Sequence, residues 1–144
     1  MSLLRIARVP AVTVTPSTSV QGAINAMTES SASAVVVTRD EFPAGIFTAR
    51  DLVRRVMASR FPLQIVSITE VMTSAPKVAT ADMRPGEALS IMLHNHIRHL
   101  PVVDEDGRVR GMLSTRHLLR EMLVDLSHEL DSLSAYIAAD GIGG

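Results

Sequence analysis

The sequence predicts an α+β fold built from two copies of one unit, each ordered strand–helix–strand–strand–helix. The main observation is an internal repeat. Residues 45–52 (GIFTARDL) return 66 positions later as residues 111–118 (GMLSTRHL), with glycine, a hydroxyl, arginine and leucine in the same places. In addition, 47% of the 144 residues are hydrophobic but only 3% are aromatic, so the core is built from aliphatic side chains. Two such units packed face to face about a pseudo-two-fold axis form the most economical architecture.

The offset between the two copies changes along the chain. The helical pair Ala23/Met27 matches Ala88/Met92 at an offset of 65, whereas Val36-Val37 matches Val102-Val103 at 66. We therefore predict that one residue is gained or lost between the helix and the following strand, where connections tolerate insertions.

The first unit begins with a short strand at 12–14. Ser19 is the expected N-cap of a helix that ends near 30–33. The β-branched run 34–37 predicts a buried strand, followed by a polar turn at 39–43 and a strand at 44–47. A second helix starts at Thr48, and its predicted apolar face is Leu52, Val53, Val56 and Met57.

The second unit follows a linker that contains Pro62. We predict a helical turn at 68–73, a strand at 77–79, and a helix from Asp82 or Met83 with Pro85 in its first turn. The apolar face of this helix is Ala88, Leu89, Met92 and Leu93. A buried strand at 100–103, a hairpin turn at 104–107 and a strand at 109–113 precede the final helix, which starts at Ser114.

The charge and amino-acid composition of the chain limit the classes of ligand and the cellular location that we expect. The net charge of −1 argues against a general electrostatic grip on nucleic acid or an acidic membrane. Thirteen of the fourteen basic residues are arginine, which suits anion binding but equally reflects genomic composition. The chain has no cysteine, and it lacks an apolar run long enough for a signal peptide or a membrane span. We expect a soluble, cytoplasmic protein.

Thr48 and Asp51 have two readings. The Thr48 hydroxyl and the free amides at a helix start can bind phosphate, and the Asp51 carboxylate can accept both hydroxyls of a ribose. In this reading the pair binds a nucleotide. The same spacing is also a variant of the helix capping box. The second copy keeps the hydroxyl as Ser114 but has His117 in place of the aspartate, and a neutral imidazole does not accept both ribose hydroxyls. The two sites are therefore predicted to be unequal.

The sequence gives little support for a metal site or for catalysis. His94, His96 and His99 follow no regular metal-ligand spacing, and no catalytic pair or triad is evident. We expect neither a metal site nor an enzyme.

On three motifs the chain resembles a tandem pair of CBS (cystathionine β-synthase) domains, a Bateman module, of the stand-alone bacterial type. The motifs are residues 45–52, the stretch IRHLPVVD at 97–104 and Val71-Met72-Thr73. The resemblance implies a first repeat at 7–59, a linker at 60–67, a second repeat at 68–126 and a C-terminal extension at 127–144.

The resemblance further implies a regulatory module that binds an adenosyl ligand between its repeats: AMP, ADP, ATP or NAD(H), with S-adenosylmethionine as a further candidate. It assigns the hydroxyl and acidic positions to the ligand, places Arg98 or His99 near the phosphate of the Asp51 site, and places 76–78 near adenine. Phosphate at the second site would meet Arg116 or His117. The expected ligand-binding residues are Ile46, Thr48, Arg50, Asp51, Pro76, Val78, Arg98, His99, Ser114, Arg116 and His117.

The last helix carries a heptad seam that continues past the second repeat. Its members are spaced 4, 3, 4, 3 and 4 residues apart: Leu119, Leu123, Leu126, Leu130, Leu133 and Ile137. The seam needs cover from the first repeat, a second subunit or another partner, and the resemblance favours a homodimer formed through helical faces. We expect an energy or redox sensor that acts on an unknown effector protein; the alternative is a ligand-free dimerisation scaffold.

Overall fold

The computed structural model describes residues 2–60 and 62–139. The first half contains β1 (Thr13–Val14), α1 (Val20–Glu29), β2 (Ala34–Arg39), β3 (Phe42–Thr48) and α2 (Ala49–Asp51), which continues as a π-helical segment over Leu52–Met57. A 3-10 turn at Ile68–Glu70 leads into β4 (Thr73–Ser74). The second half contains β5 (Ala79–Thr80), α3 (Pro85–His94), β6 (His99–Val103), β7 (Val109–Ser114) and α4 (Thr115–Ala139). The predicted α+β order is confirmed in both halves.

Each half has its own sheet and its own core. The first sheet has the order β1-β2-β3-β4 and the second the order β5-β6-β7. In each sheet the second strand is parallel to the first and antiparallel to the third. Val35, Val37 and Phe47 are buried with α1 in one core, whereas Leu100 and Leu113 are buried with α3 in the other. Alternate residues of each buried strand therefore face their own helices.

The register of the strands corrects the predicted position of the extra residue. Val37 lies opposite Gly45 in the first hairpin, and Val102 lies opposite Gly111 in the second. The offset is therefore 65 from β1 through β2 and becomes 66 only in β3, so Val37 corresponds to Val102. The prediction of an insertion between helix and strand was wrong, because the extra residue lies in the hairpin connection, where a change in loop length leaves the buried register intact.

The two halves exchange their leading segments. β4, which precedes the second half, pairs with β3 of the first, where Thr73 lies opposite Ile46. In the same way Arg8, ahead of the first half, pairs with Met112 of β7 through two backbone hydrogen bonds of 2.9 and 3.0 Å. Each half is thus completed by chain that leads into the other half. The sequence analysis did not anticipate either pairing.

This exchange explains the glycines that begin the two repeated stretches. A Cβ on Gly45 would stand 2.2 Å from the sulfur of Met72, and a Cβ on Gly111 would stand 2.9 Å from the carbonyl oxygen of Arg8. The exchanged segments cross β3 and β7 at these points. A side chain at either glycine would occupy the space that the crossing chain fills.

A third apolar cluster joins the two sheets. Ala34 and Val36 of the first half are buried against Val103, Val109 and Met112 of the second. The hairpin turns also meet: the Val109 amide donates to the Glu41 carbonyl (2.8 Å), and the Arg108 guanidinium lies 5.7 Å from the centre of the Phe42 ring. The halves therefore share buried surface as well as the exchanged segments.

Two predicted helix faces need correction. On α2 and its extension Val56 is buried and Leu52 half-buried, but Val53 and Met57 are 65% and 62% exposed. The π-helical geometry after Asp51 has more residues per turn than an α-helix, so the expected spacing does not keep these four residues on one face. On α3 Leu93 is exposed, while Ala88 and Met92 are buried as predicted.

The last helix, α4, runs unbroken for 25 residues from Thr115 to Ala139. Its first turns pack on the second core through Leu118 and Met122. The six seam residues are all exposed, by 39 to 65%. The first repeat therefore does not cover them within the described residues. No helix among residues 2–60 and 62–139 has the length and apolarity to span a membrane.

Candidate functional site

Thr48 and Asp51 form a complete capping box where β3 turns into α2. The Asp51 amide donates to Thr48 Oγ1 (3.2 Å), and the Thr48 amide and hydroxyl both donate to Asp51 Oδ2 (3.0 and 3.1 Å). The capping role weighed from the sequence is therefore observed. It occupies one carboxylate oxygen of Asp51 and leaves the other outside the cap.

That second oxygen faces Arg55. Asp51 Oδ1 lies 3.8 Å from Arg55 Nε, too far for a hydrogen bond, and the Asp51 side chain is 17% exposed. Arg55 is itself held by the carbonyl oxygens of Val71 (3.1 Å) and Met72 (3.2 Å). This arginine connects the carboxylate to the segment that enters β4. Sequence reasoning missed Arg55, although its position four residues after Asp51 on a helix was a usable signal.

The second stretch has a simpler helix start. The His117 amide donates to Ser114 Oγ (3.1 Å), which reproduces half of the box, but the His117 side chain is exposed and returns no bond to the Ser114 amide. At the position that matches Arg55, Glu121 lies 3.8 Å from Arg5 of the N-terminal segment. The two helix starts therefore differ in their side-chain contacts.

His99 joins the two halves next to both helix starts. Its Nε2 lies 2.8 Å from Ser33 Oγ of the first half, and its backbone is paired with Ser114 in the second sheet. The Ser33 carbonyl accepts a hydrogen bond from the amide of Ala49, the first residue of α2 (2.9 Å). The sequence analysis did not identify Ser33, because only the packing of the halves brings it to His99.

Burial lowers the pKa of His99, and its neighbours Arg98 and His117 lower it further. The folded structure therefore favours the neutral imidazole at this position. Arg98, His99 and His117 form one local group near the start of α4. Arg98 is exposed, whereas His99 is half-buried.

The remaining residues assigned from the sequence are divided between the two halves and the connection from β4 to β5. Ile46 and Val78 are half-buried and pack against the same inter-sheet cluster, one from each half. Pro76 is half-buried on the connection from β4 to β5, and Arg50 is exposed on the first turn of α2. Arg116 is exposed on the first turn of α4.

In the parts of the chain that the structure describes, no three His, Cys, Asp or Glu side chains are close enough together to hold a metal ion. The arrangement offers instead a carboxylate oxygen outside any hydrogen bond, hydroxyls at two helix starts, and apolar side chains from both halves. These are the groups that a nucleotide requires for its ribose, phosphate and base.

Comparison with known proteins identifies the repeat. The family model for the CBS domain matches residues 5–58 and again residues 68–124. Among characterised sequences, the meiotically up-regulated gene 70 protein of Schizosaccharomyces pombe is 41% identical over 101 residues, which is 70% of this chain and 14% of that protein. The chain spans only 14–18% of the length of the first three curated relatives it matches.

Solved structures agree with this. The CBS-domain-containing protein ATU1752 from Agrobacterium tumefaciens is 31% identical, with a TM-score of 0.73 over 83% of this chain and 94% of that one. The CBS domain protein PAE2072 from Pyrobaculum aerophilum, solved in complex with AMP, is 23% identical, with a TM-score of 0.79 over 89% of this chain and 99% of that one. At 23% identity the second comparison establishes a shared fold.

Proposed function

The chain belongs to the CBS-domain family, and we propose that it is a regulatory sensor that binds an adenine nucleotide between its two halves and acts on an effector protein. The observation that carries this proposal is the helix start at Thr48. There a helix N-terminus, a hydroxyl and a carboxylate oxygen outside the cap occur together, two residues after Ile46, which packs against the inter-sheet cluster. We assign the module a regulatory rather than a catalytic role.

The assigned roles follow from this chemistry. Asp51 Oδ1 accepts the ribose hydroxyls, and the phosphate meets the Arg50 amide at the start of α2. The neighbouring amides of Ala49 and Asp51 already donate to Ser33 and Thr48. Ile46 and Val78, which both pack against the inter-sheet cluster, are the proposed apolar contacts for the base, together with Pro76. The AMP complex of PAE2072, which shares this fold, supports the class of ligand. The candidates remain AMP, ADP, ATP, NAD(H) and S-adenosylmethionine.

We propose further that the Asp51 site is the stronger of the two. The site at Ser114 retains the hydroxyl, and Arg116 or His117 is the proposed phosphate contact there. It has no carboxylate for a ribose, because His117 stands at that position. We propose that Arg98 or His99 meets the phosphate of the Asp51 site, because His99 contacts Ser33 and the Ser33 carbonyl accepts from the first amide of α2.

One observation favours the alternative of a ligand-free scaffold, in which Thr48 and Asp51 only cap the helix. The capping box is complete without a ligand, and Arg55 already provides a positive neighbour for Asp51. The two functions therefore differ in what the second carboxylate oxygen does. A substitution that removes this oxygen while keeping the cap separates them.

Asp51→Asn is that substitution, since its amide oxygen still accepts from the Thr48 amide and hydroxyl. Calorimetric titration with AMP, ATP, NADH and S-adenosylmethionine should show binding to the wild type. Binding should weaken about 10- to 100-fold in Asp51→Asn, as expected for the loss of hydrogen bonds to a charged group worth about 1.5–3 kcal/mol. Absorbance of the purified protein at 260 nm provides an early sign of co-purified nucleotide.

Asp40→Asn, at an exposed turn residue between β2 and β3, removes the same negative charge outside the site and should bind as the wild type does. If the wild type binds none of the four compounds, the sensor proposal fails and the scaffold remains. If Asp51→Asn binds with unchanged affinity, the assignment of the ribose to Asp51 is wrong.

A further inference from the structure

Most of α4 projects from the body of the protein. Leu118 is buried and Met122 is half-buried, but every residue from Leu123 to Ala138 is exposed. An isolated helix of about this length is only marginally stable in water, even with favourable residues. Packing against another surface is the usual source of the missing stability.

The exposed part of the helix has one apolar face and one polar face. In a heptad register the six seam residues fill the two inner positions, a and d, over nearly three heptads. The outward positions are mostly polar or small, with Glu121, Asp125, His128 and Asp131 among them. This pattern matches the surface of one strand of a coiled coil.

We infer that the occupant of this seam is the same seam of a second copy, in a parallel two-stranded coiled coil. In that arrangement each apolar residue meets its own counterpart, so every inner layer is Leu–Leu or Ile–Ile. The flanking contacts are compatible as well, because Glu129 lies beside Ser134 of the partner subunit and Met122 lies beside Ser127 of the partner subunit. No like charges face each other along these flanks.

Charge also decides the direction. An antiparallel pairing that aligns all six seam residues has its axis near His128 and places Glu129 beside the partner's Glu129. That arrangement buries the same apolar residues but sets two carboxylates against each other, which opposes association. The parallel arrangement avoids this contact.

Parallel pairing has a consequence for the sites. Both copies of α4 begin at the same end of the coil, so the two Ser114 helix starts lie on the same side of the dimer. The inference does not depend on nucleotide binding, because no residue of the exposed seam belongs to the Asp51 site. A failure of either proposal leaves the other standing.

Light scattering on the full chain tests the association. The wild type should have the mass of a dimer, and the double substitution Leu126→Asp with Leu130→Asp should have the mass of a monomer. Ala135→Asp adds one aspartate on the outward face and should remain a dimer. Both seam residues are more than half exposed, so the body of the variant should still unfold cooperatively by circular dichroism. A monomeric wild type, or a dimer that survives the double substitution, overturns the inference.

Because the chain has no cysteine, a single introduced cysteine can test by crosslinking whether the two helices are parallel or antiparallel. Leu133→Cys should form a disulfide-linked dimer under mild oxidation, because the same inner position of both helices meets across a parallel coil. In the antiparallel pairing these positions are about 15 Å apart, since each residue rises 1.5 Å along the helix. Ser132→Cys, one residue away on the outer face, is the matched control and should remain uncrosslinked. Equal crosslinking of the two variants, or none in either, refutes the parallel coil.

Discussion

The crossing of the exchanged N-terminal segment over Gly111 predicts a measurable cost for the smallest possible side chain. In Gly111→Ala the new Cβ would stand 2.9 Å from the Arg8 carbonyl oxygen, 3.1 Å from Val9 Cγ2 and 3.3 Å from Ala7 Cβ. The nearest of these atoms belongs to the backbone, so the segment must move as a whole and strain its two hydrogen bonds to Met112. Overpacking of this kind costs about 1–3 kcal/mol.

For a chain of this size the expected fall in Tm is about 2–12 °C, from a shift of about 2–4 °C per kcal/mol. Gly45→Ala should be milder, because its Cβ meets only the flexible side chain of Met72. Gly86→Ala is the control: nothing lies within 4 Å of its Cβ, and alanine favours the helix by up to about 1 kcal/mol. In thermal unfolding followed by circular dichroism, Tm should be highest for Gly86→Ala, intermediate for Gly45→Ala and lowest for Gly111→Ala. A Gly111→Ala protein as stable as the wild type would show that the segment does not cross here.

Three further predictions concern the site residues. Because the folded state lowers the pKa of His99 while the unfolded chain keeps a value near 6.5, the unfolded state binds the proton first. The free energy of unfolding should therefore decline as the pH falls through 6.5; His99→Gln should flatten this decline and His94→Gln, on an exposed residue, should preserve it. His117→Asp should supply the missing carboxylate, so calorimetry should find a second nucleotide per chain, and an unchanged stoichiometry would contradict the assigned role of this position. Asp51→Ala should cost about 1 kcal/mol in chemical denaturation through loss of the cap, whereas Asp51→Asn should cost much less; equal losses would mean that the cap is not the stabilising contact.

The fold was predictable to the extent that local patterns encode it. The buried strands, the cap at Ser19 and the proline in the first turn of α3 all follow from short-range spacing, and the structure confirms them. The pairing of Arg8 with Met112 was not predictable in this way. A single residue in bridge geometry has no periodicity, and its partner lies more than one hundred positions away in sequence.

The candidate site likewise combines contacts that are local in sequence with contacts that only the fold creates. Capping by Thr48 and Asp51 is a contact over three residues, and the sequence motif was sufficient to propose it. Ser33 and Arg55 gain their significance from atoms that the fold brings to them: a histidine of the other half, and two carbonyl groups of the crossing segment. The exposure of Val53 was likewise hidden, because nothing local indicates that the helix widens after Asp51.

The exchanged segments give the first site a direct physical route to the second half. A ribose on Asp51 Oδ1 would replace Arg55 as the nearest partner of that oxygen, and Arg55 holds the carbonyls of Val71 and Met72 just ahead of β4. Any adjustment of Arg55 therefore acts on the chain that enters the second half. The reverse route is weaker, because Glu121 contacts Arg5 through one exposed ion pair at 3.8 Å, which contributes at most about 1 kcal/mol. We therefore expect the two proposed sites to differ in their coupling as well. Arg55→Gln should loosen the link between the ligand and the second half far more than Glu121→Gln, a difference that amide hydrogen exchange across residues 73–80 would measure.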